Sequence, residues 1–261
     1  MPPGSRARRA TQAGTANGPP RVIYFLGFLI SVAIGMTGVG AGTLTTPMLI
    51  LVVGVPPRIA VGTALIFGAV IKIITSPVYM ARRQVDWRTL GFMLVGGVPG
   101  VLGGVLLLRN IDGRAITGII GATIVIVALF NLLRPVPETR RDRSRWLPLI
   151  TLPIGAEVGF SSAGAGALGA LTLLSMTTLT AATVVGTDLV FGLVLSMIGG
   201  GINAAMGTVD RTVLLQLLAG GIPGALLGAY LAGRVPSQRL RTGLSVAIAL
   251  LGASLFYKAF L

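Results

Sequence analysis

Long apolar runs broken by short, basic or glycine-rich connections dominate the chain. The runs fall at about 22–37, 43–55, 58–80, 89–108 and 115–133, and again at about 147–161, 167–179, 181–206, 212–232 and 243–261. Few charges enter them, and they lack the polar face of a soluble amphipathic helix. A bilayer-crossing helix needs about 20 apolar residues, so the third to fifth runs of each set read as full spans. The first two runs of each set are short. They meet at a stretch of small residues, which reads as a broken or re-entrant element.

The two sets are copies. At a fixed offset of 124 residues, with no gap, positions 35–104 carry 25 identities with their counterparts. A shared Gly or Leu is common in a membrane protein, but Val85-Asp86 repeats as Val209-Asp210 and Pro99-Gly100 as Pro223-Gly224, which makes duplication the only economical account. The chain therefore divides into a basic tail over 1–20, read as disordered, a first membrane repeat over 21–133, a basic linker over 134–146, and a second repeat over 147–261. The expected fold is all-α, with two homologous four-helix repeats and about eight transmembrane helices. Counting Lys and Arg, four crossings per repeat put 14 basic residues, Lys258 among them, on the side of the tail and linker, against 6 on the other. Three crossings per repeat would invert the second copy and give 9 with the tail against 11. The excess of basic residues on cytoplasmic loops favours two parallel repeats with both termini cytoplasmic, with inverted repeats as the rival.

Composition narrows the function. The hydrophobic fraction is 53%, charged residues are 11% and mean hydropathy is +0.88, values outside the soluble range. The net charge of +14 sits in tail and loops, where it suits anionic lipid head groups; no aromatic-interleaved basic face offers itself to nucleic acid. The chain has neither Cys nor His. Thiolate chemistry and His-bearing metal sites are therefore excluded, and carboxylates are left as the proton carriers. No phosphate-binding loop, nucleophile elbow or other enzyme motif is present, and no cofactor is implied.

The candidate chemistry centres on the two glycine-rich breaks, Gly35-Met36-Thr37-Gly38-Val39-Gly40-Ala41-Gly42-Thr43-Leu44 and Gly159-Phe160-Ser161-Ser162-Ala163-Gly164-Ala165-Gly166-Ala167-Leu168. Irregular backbone survives inside a membrane where it is buried by protein or lines a polar cavity. Gly38, Gly40, Gly42, Gly164 and Gly166, with the hydroxyls of Thr43, Thr46, Thr63, Ser161, Ser162 and Thr187, form the candidate substrate-binding set. Free N–H groups at helix starts and these hydroxyls can replace the water around an anion. The competing reading is that such hydroxyls bond their own helices and the glycines allow close packing. Three ionisable residues, Lys72, Glu157 and Asp188, lie inside spans, each at an insertion cost of about 2.5–3.5 kcal/mol. Lys72 is a candidate anion ligand and Asp188 and Glu157 are candidate proton carriers; alternatively Lys72 and Asp188 pair structurally between the repeats. Asp86 and Asp210, each just before a span, read as helix caps, and Asn203 as a packing residue. Trp87 suits the interfacial belt.

The ordered set Gly35-x-x-Gly38-x-Gly40-x-Gly42-x-Leu44, Pro47, Ala60-Val61-Gly62-Thr63, Val85-Asp86-Trp87 and Gly96-x-x-Pro99-Gly100, with its internal copy, resembles the sulfite exporter TauE/SafE family of membrane permeases over about residues 22–261. The resemblance implies a bacterial inner-membrane transporter of small anions such as sulfite, sulfonates or sulfoacetate. For a duplicated bundle with Asp188 and Glu157 inside its spans, the expected mechanism is alternating access coupled to protons. An anion-selective channel or a non-transporting partner subunit are the alternatives, and association into a homo-oligomer is left open. The second copy has Ser161-Ser162 and Leu171 where the first has Thr37-Gly38 and Pro47, so its break is expected to be the softer of the two.

Overall fold

The computed structural model describes residues 20–37, 41–133, 142–166, 168–231 and 237–260. Gly38, Gly40, the tail up to residue 19 and linker residues 134–141 lie outside these. The described residues form helices and no strand. In the first half these are α1 (Pro20–Thr37), α2 (Ala41–Met48), α3 (Pro57–Ala81), α4 (Trp87–Asn110) and α5 (Gly113–Leu133). In the second they are α6 (Leu147–Ser161), α7 (Leu168–Met176), α8 (Ala181–Ala205), α9 (Arg211–Leu231) and α10 (Ser237–Phe260). α3 and α8 have the same length, and the starts of α3, α4 and α5 recur 124 residues on, so the duplication in sequence is a duplication of elements.

Local chemistry sets the boundaries. Pro47, inside α2, has no N–H for the carbonyl four residues back, and the helix runs on as one π turn, Leu49–Val53, ended by Gly54 at φ 77°. Asp86 opens α4 by accepting from the Thr89 N–H at 2.7 Å, and Asp210 opens α9 by accepting from the N–H groups of Thr212 and Val213 at 2.9 and 3.0 Å, as the cap reading required. The second break is a sharp turn in its own right, and residues 38–40 of the first, on which the expected difference between the two rests, lie outside the described residues. Ser162, Gly164 and Gly166 all stand at positive φ, 64°, 87° and 99°, so the chain turns sharply between α6 and α7.

The halves do not form separate bundles. α1 packs along α9 of the other half, and α6 along α4. Each contact is backbone against backbone, through glycines spaced four apart. A Cβ at Gly96, Gly100 or Gly104 would meet the carbonyl of Pro148, Leu152 or Ala156, and one at Gly220, Gly224 or Gly228 would meet that of Tyr24, Phe28 or Val32. This is the close approach that small residues one turn apart permit in a membrane.

Packing also settles how the copies are related. Along α3 and α8, Gly62 lies against Asn203 and Thr208, Ile66 against Gly200, Lys72 against Gly192, and Tyr79 against Gly186. The first series rises as the second falls, so these equivalent helices are antiparallel. α5 and α10 behave likewise, with Gly118 against Ala259 and Val125 against Gly252. The copies are therefore inverted, and the expectation of two parallel four-span repeats is corrected. Lys258 sits beside Gly113 and Arg114, at the end of the molecule opposite Asp86 and Trp146, instead of sharing a side with the linker. The charge count misjudged this because it favoured the larger asymmetry of 14 against 6, whereas basic residues in fact stand at both ends.

Among the described residues, α3, α4, α8 and α9 are long and apolar enough to cross a membrane, while α1, α2, α5 and α10 contribute shorter apolar stretches. Large apolar side chains such as Val95, Leu149, Leu215 and Leu250 face outward, as a lipid-facing surface requires. Both tryptophans, Trp87 and Trp146, stand exposed at the linker end, where an interfacial belt would lie.

Candidate functional site

The central pair of helices carries the two most deeply buried charges. Lys72, on α3, is buried, and its Nζ donates to Ser196 Oγ on α8 at 3.2 Å. Residues 72 and 196 differ by the repeat offset, so the lysine reaches its own counterpart where the pseudo-twofold axis passes between the helices. Its ammonium also lies against Gly192, where a Cβ would sit 2.6 Å from Nζ and 3.0 Å from the Cβ of Ala165. Glycine at 192 is thus what admits Lys72 to the second break.

Asp188, one turn before Gly192, is buried as well. The Gly166 amide faces its carboxylate, and Gly169 of α7 is close enough that a Cβ there would strike Oδ1. Oδ1 has no hydrogen-bond partner. Each charge acts electrostatically on the other, yet among the described residues Lys72 and Asp188 form no direct ion pair. The geometry therefore departs from a closed structural pair: one buried ammonium holds a neutral hydroxyl, and one buried carboxylate keeps an oxygen open. An unpaired buried group of this kind is costly.

Glu157 stands at the other edge of the same break. Ser161 Oγ donates to its Oε1 at 2.6 Å, Thr123 of α5 faces it, and its side chain lies against Gly164. Ser161 Oγ also accepts from the Ala163 N–H at 3.1 Å, which stitches the turn together.

The two breaks meet. Gly42 packs against Ser162, whose carbonyl a Cβ at position 42 would overlap, and Thr46 Oγ1 lies 2.5 Å from Ser162 Oγ. Thr43 and Thr45 are buried and engaged. On the first side, Tyr79 donates its hydroxyl to Gly35 O at 3.3 Å, giving a partner to a carbonyl in the last turn of α1.

Thr63 and Thr187 stand at opposite ends of the α3–α8 pair and bind backbone across the repeats. Thr63 Oγ1 accepts from the Asp210 N–H and Thr187 Oγ1 from the Asp86 N–H, both at 3.0 Å. Asn203 turns back on its own helix, donating to Gly199 O at 2.8 Å while its Oδ1 accepts from Thr208.

The structure thus gathers Gly42, Thr46, Lys72, Glu157, Ser161, Ser162, Gly164, Gly166 and Asp188 around the second break, and leaves the hydroxyls of Thr63 and Thr187 outside that cluster, each on the N–H of a capping aspartate. Sequence reasoning passed over Gly192, Gly169 and Thr123. The first had a usable signal, since Phe191-Gly192 repeats Phe67-Gly68; the other two become neighbours of the charges only through tertiary packing.

The model of the sulfite exporter TauE/SafE family matches residues 23–255. Among similar proteins, the probable membrane transporter protein YjnA of Bacillus subtilis is 29% identical over 236 residues, covering 84% of this chain and 92% of that protein. A probable membrane transporter protein of Xylella fastidiosa is 28% identical over 225 residues, covering 82% and 85%, and one of Haemophilus influenzae is 29% identical over 220 residues, covering 80% and 83%. No solved structure matches the chain. A duplicated, lipid-facing helical bundle of this kind, matched over nearly its whole length, belongs to the sulfite exporter TauE/SafE family and is a multi-pass membrane transporter.

Proposed function

We propose that the protein carries a small anion of the sulfur oxyanion or organosulfonate class, such as sulfite or sulfoacetate, across the bacterial inner membrane by alternating access. The family supports the substrate class. The observation that carries the reading is the buried Lys72 ammonium, held by one hydroxyl beside the second glycine break. An arriving anion offsets the cost of that charge, and the hydroxyls of Thr46 and Ser162 with the turn amides offer the hydrogen bonds lost with water. Asp188 opposes an anion while charged. A proton on it removes the repulsion, so anion and proton bind together, which couples flux to a proton gradient. Glu157 is a second site from which that proton can be exchanged. The linker end faces the cytoplasm, since five arginines crowd the connection between α5 and α6.

The test is uptake by the purified protein in liposomes, with sulfite, sulfate, thiosulfate, sulfoacetate and taurine offered in turn. Saturable flux of sulfite or an organosulfonate, stimulated by a pH gradient, is expected. Lys72→Ala should cut it about 10- to 100-fold, the worth of one charge-assisted hydrogen bond, with partial return in Lys72→Arg. Unchanged flux in Lys72→Ala would remove the lysine from the mechanism, and conductance without saturation would make the protein a channel.

A further inference from the structure

A cavity of about 290 Å³ opens at the end of the molecule opposite the linker. Its floor is apolar, with Ile50 at the π turn, Val55 in the connection to α3 and Pro57 at the first residue of that helix; its rim carries Arg114 of α5 and Lys258 of α10. Lys258 Nζ donates to Ile50 O at 3.2 Å, a carbonyl of the π turn, and keeps two further N–H groups. Among the described residues no carboxylate pairs with Arg114 or Lys258. The acid nearest Arg114 along the chain is the exposed Asp112, which precedes α5 and does not line the cavity. A third cation, Arg58, lies at the same end, its Nη2 on Ile111 O at 2.5 Å.

We infer that this cavity holds the head group of an anionic phospholipid, its phosphate between Arg114 and Lys258 and its first acyl carbons over the apolar floor. Two unpaired cations above an apolar base fit an amphiphilic anion better than a hydrated one. The surroundings favour a lipid over free phosphate. Tyr257, the neighbour of Lys258 in α10, is 68% exposed and Val52, within the π turn, is 47% exposed, so the elements that line the cavity also carry outward apolar side chains. It is separate from the transport path proposed around Lys72, and it ties the π turn, α3, α5 and α10 together at one membrane face.

The test is thermal melting of the purified full chain in detergent, supplemented with phosphatidylcholine alone or with added phosphatidylglycerol, and with inorganic phosphate or glycerol phosphate as separate arms. Phosphatidylglycerol should raise the melting temperature by about 5 °C over phosphatidylcholine. Arg114→Gln, which leaves the Lys258 contact with Ile50 in place, should lose at least half of that gain; Arg114→Gln with Lys258→Gln should lose nearly all of it. A full gain in Arg114→Gln would overturn the proposal, as would the same gain from inorganic phosphate or glycerol phosphate, which would make the cavity a site for free anions.

Discussion

At the scale of single residues, equivalent positions have been given unlike tasks. Lys72 and Ser196 are one position duplicated, and so are Ala64 and Asp188, and Ala33 and Glu157. The frame is symmetric while the charges collect at the second break, so the two breaks differ in chemistry. Thr63 and Thr187 kept their identity in both copies because each performs the same task, accepting the N–H of the capping aspartate in the opposite half. That contact spans 147 residues in one case and 101 in the other, so no local spacing in the chain could reveal it. The caps themselves were legible, because an aspartate just before a span acts on its own helix. Thr63→Val and Thr187→Val should each leave a partly buried N–H without an acceptor and cost about 1–3 kcal/mol, while Thr→Ser at either site should cost less. Thermal melting in detergent checks this, with losses of similar size expected because the contacts are symmetry mates.

At the scale of elements, the glycine spacing was visible and its partner was not. Gly96, Gly100 and Gly104 form a stripe along α4, as do Gly220, Gly224 and Gly228 along α9, and either stripe announces a close helix neighbour. Nothing in the spacing says that the neighbour is the first helix of the other half, since association in the membrane follows shape and not chain order. The stripes are specific. Gly91 and Gly103, on the same helix α4, have open space where a Cβ would go. Gly100→Ala should therefore force α4 from α6 and cost about 1–3 kcal/mol, whereas Gly91→Ala should be neutral or slightly stabilising through helix propensity. A melting series over these two variants, extended to Gly224→Ala on α9, reads the difference. Gly42→Ala belongs with the damaging group, because it would part α2 from Ser162 where the breaks meet.

At the scale of the whole molecule, the inverted relation follows from the antiparallel packing of equivalent helices, and it explains why sequence left it open. A fixed offset of 124 shows that the halves are homologous and is silent on whether the second is turned over. Charge counting was the remaining guide, and it was weak because basic residues occur at both ends: Arg82, Arg83, Arg143 and Arg145 at one, Arg58, Arg109, Arg211 and Lys258 at the other. An inverted pair of repeats around a central site also gives alternating access a physical basis, because exchanging the conformations of the two halves exchanges the open side. The arrangement can be read without knowing which face is cytoplasmic. Arg82 and Met206 are equivalent positions, each just past the end of its long helix, and the native chain has no cysteine to interfere. Single Arg82→Cys and Met206→Cys variants, treated in intact cells with a membrane-impermeant maleimide and then again after permeabilisation, should give opposite results, one labelled at once and the other only after the membrane is breached. Labelling of both from the same side would restore the parallel repeats and with them the wrong end for the linker.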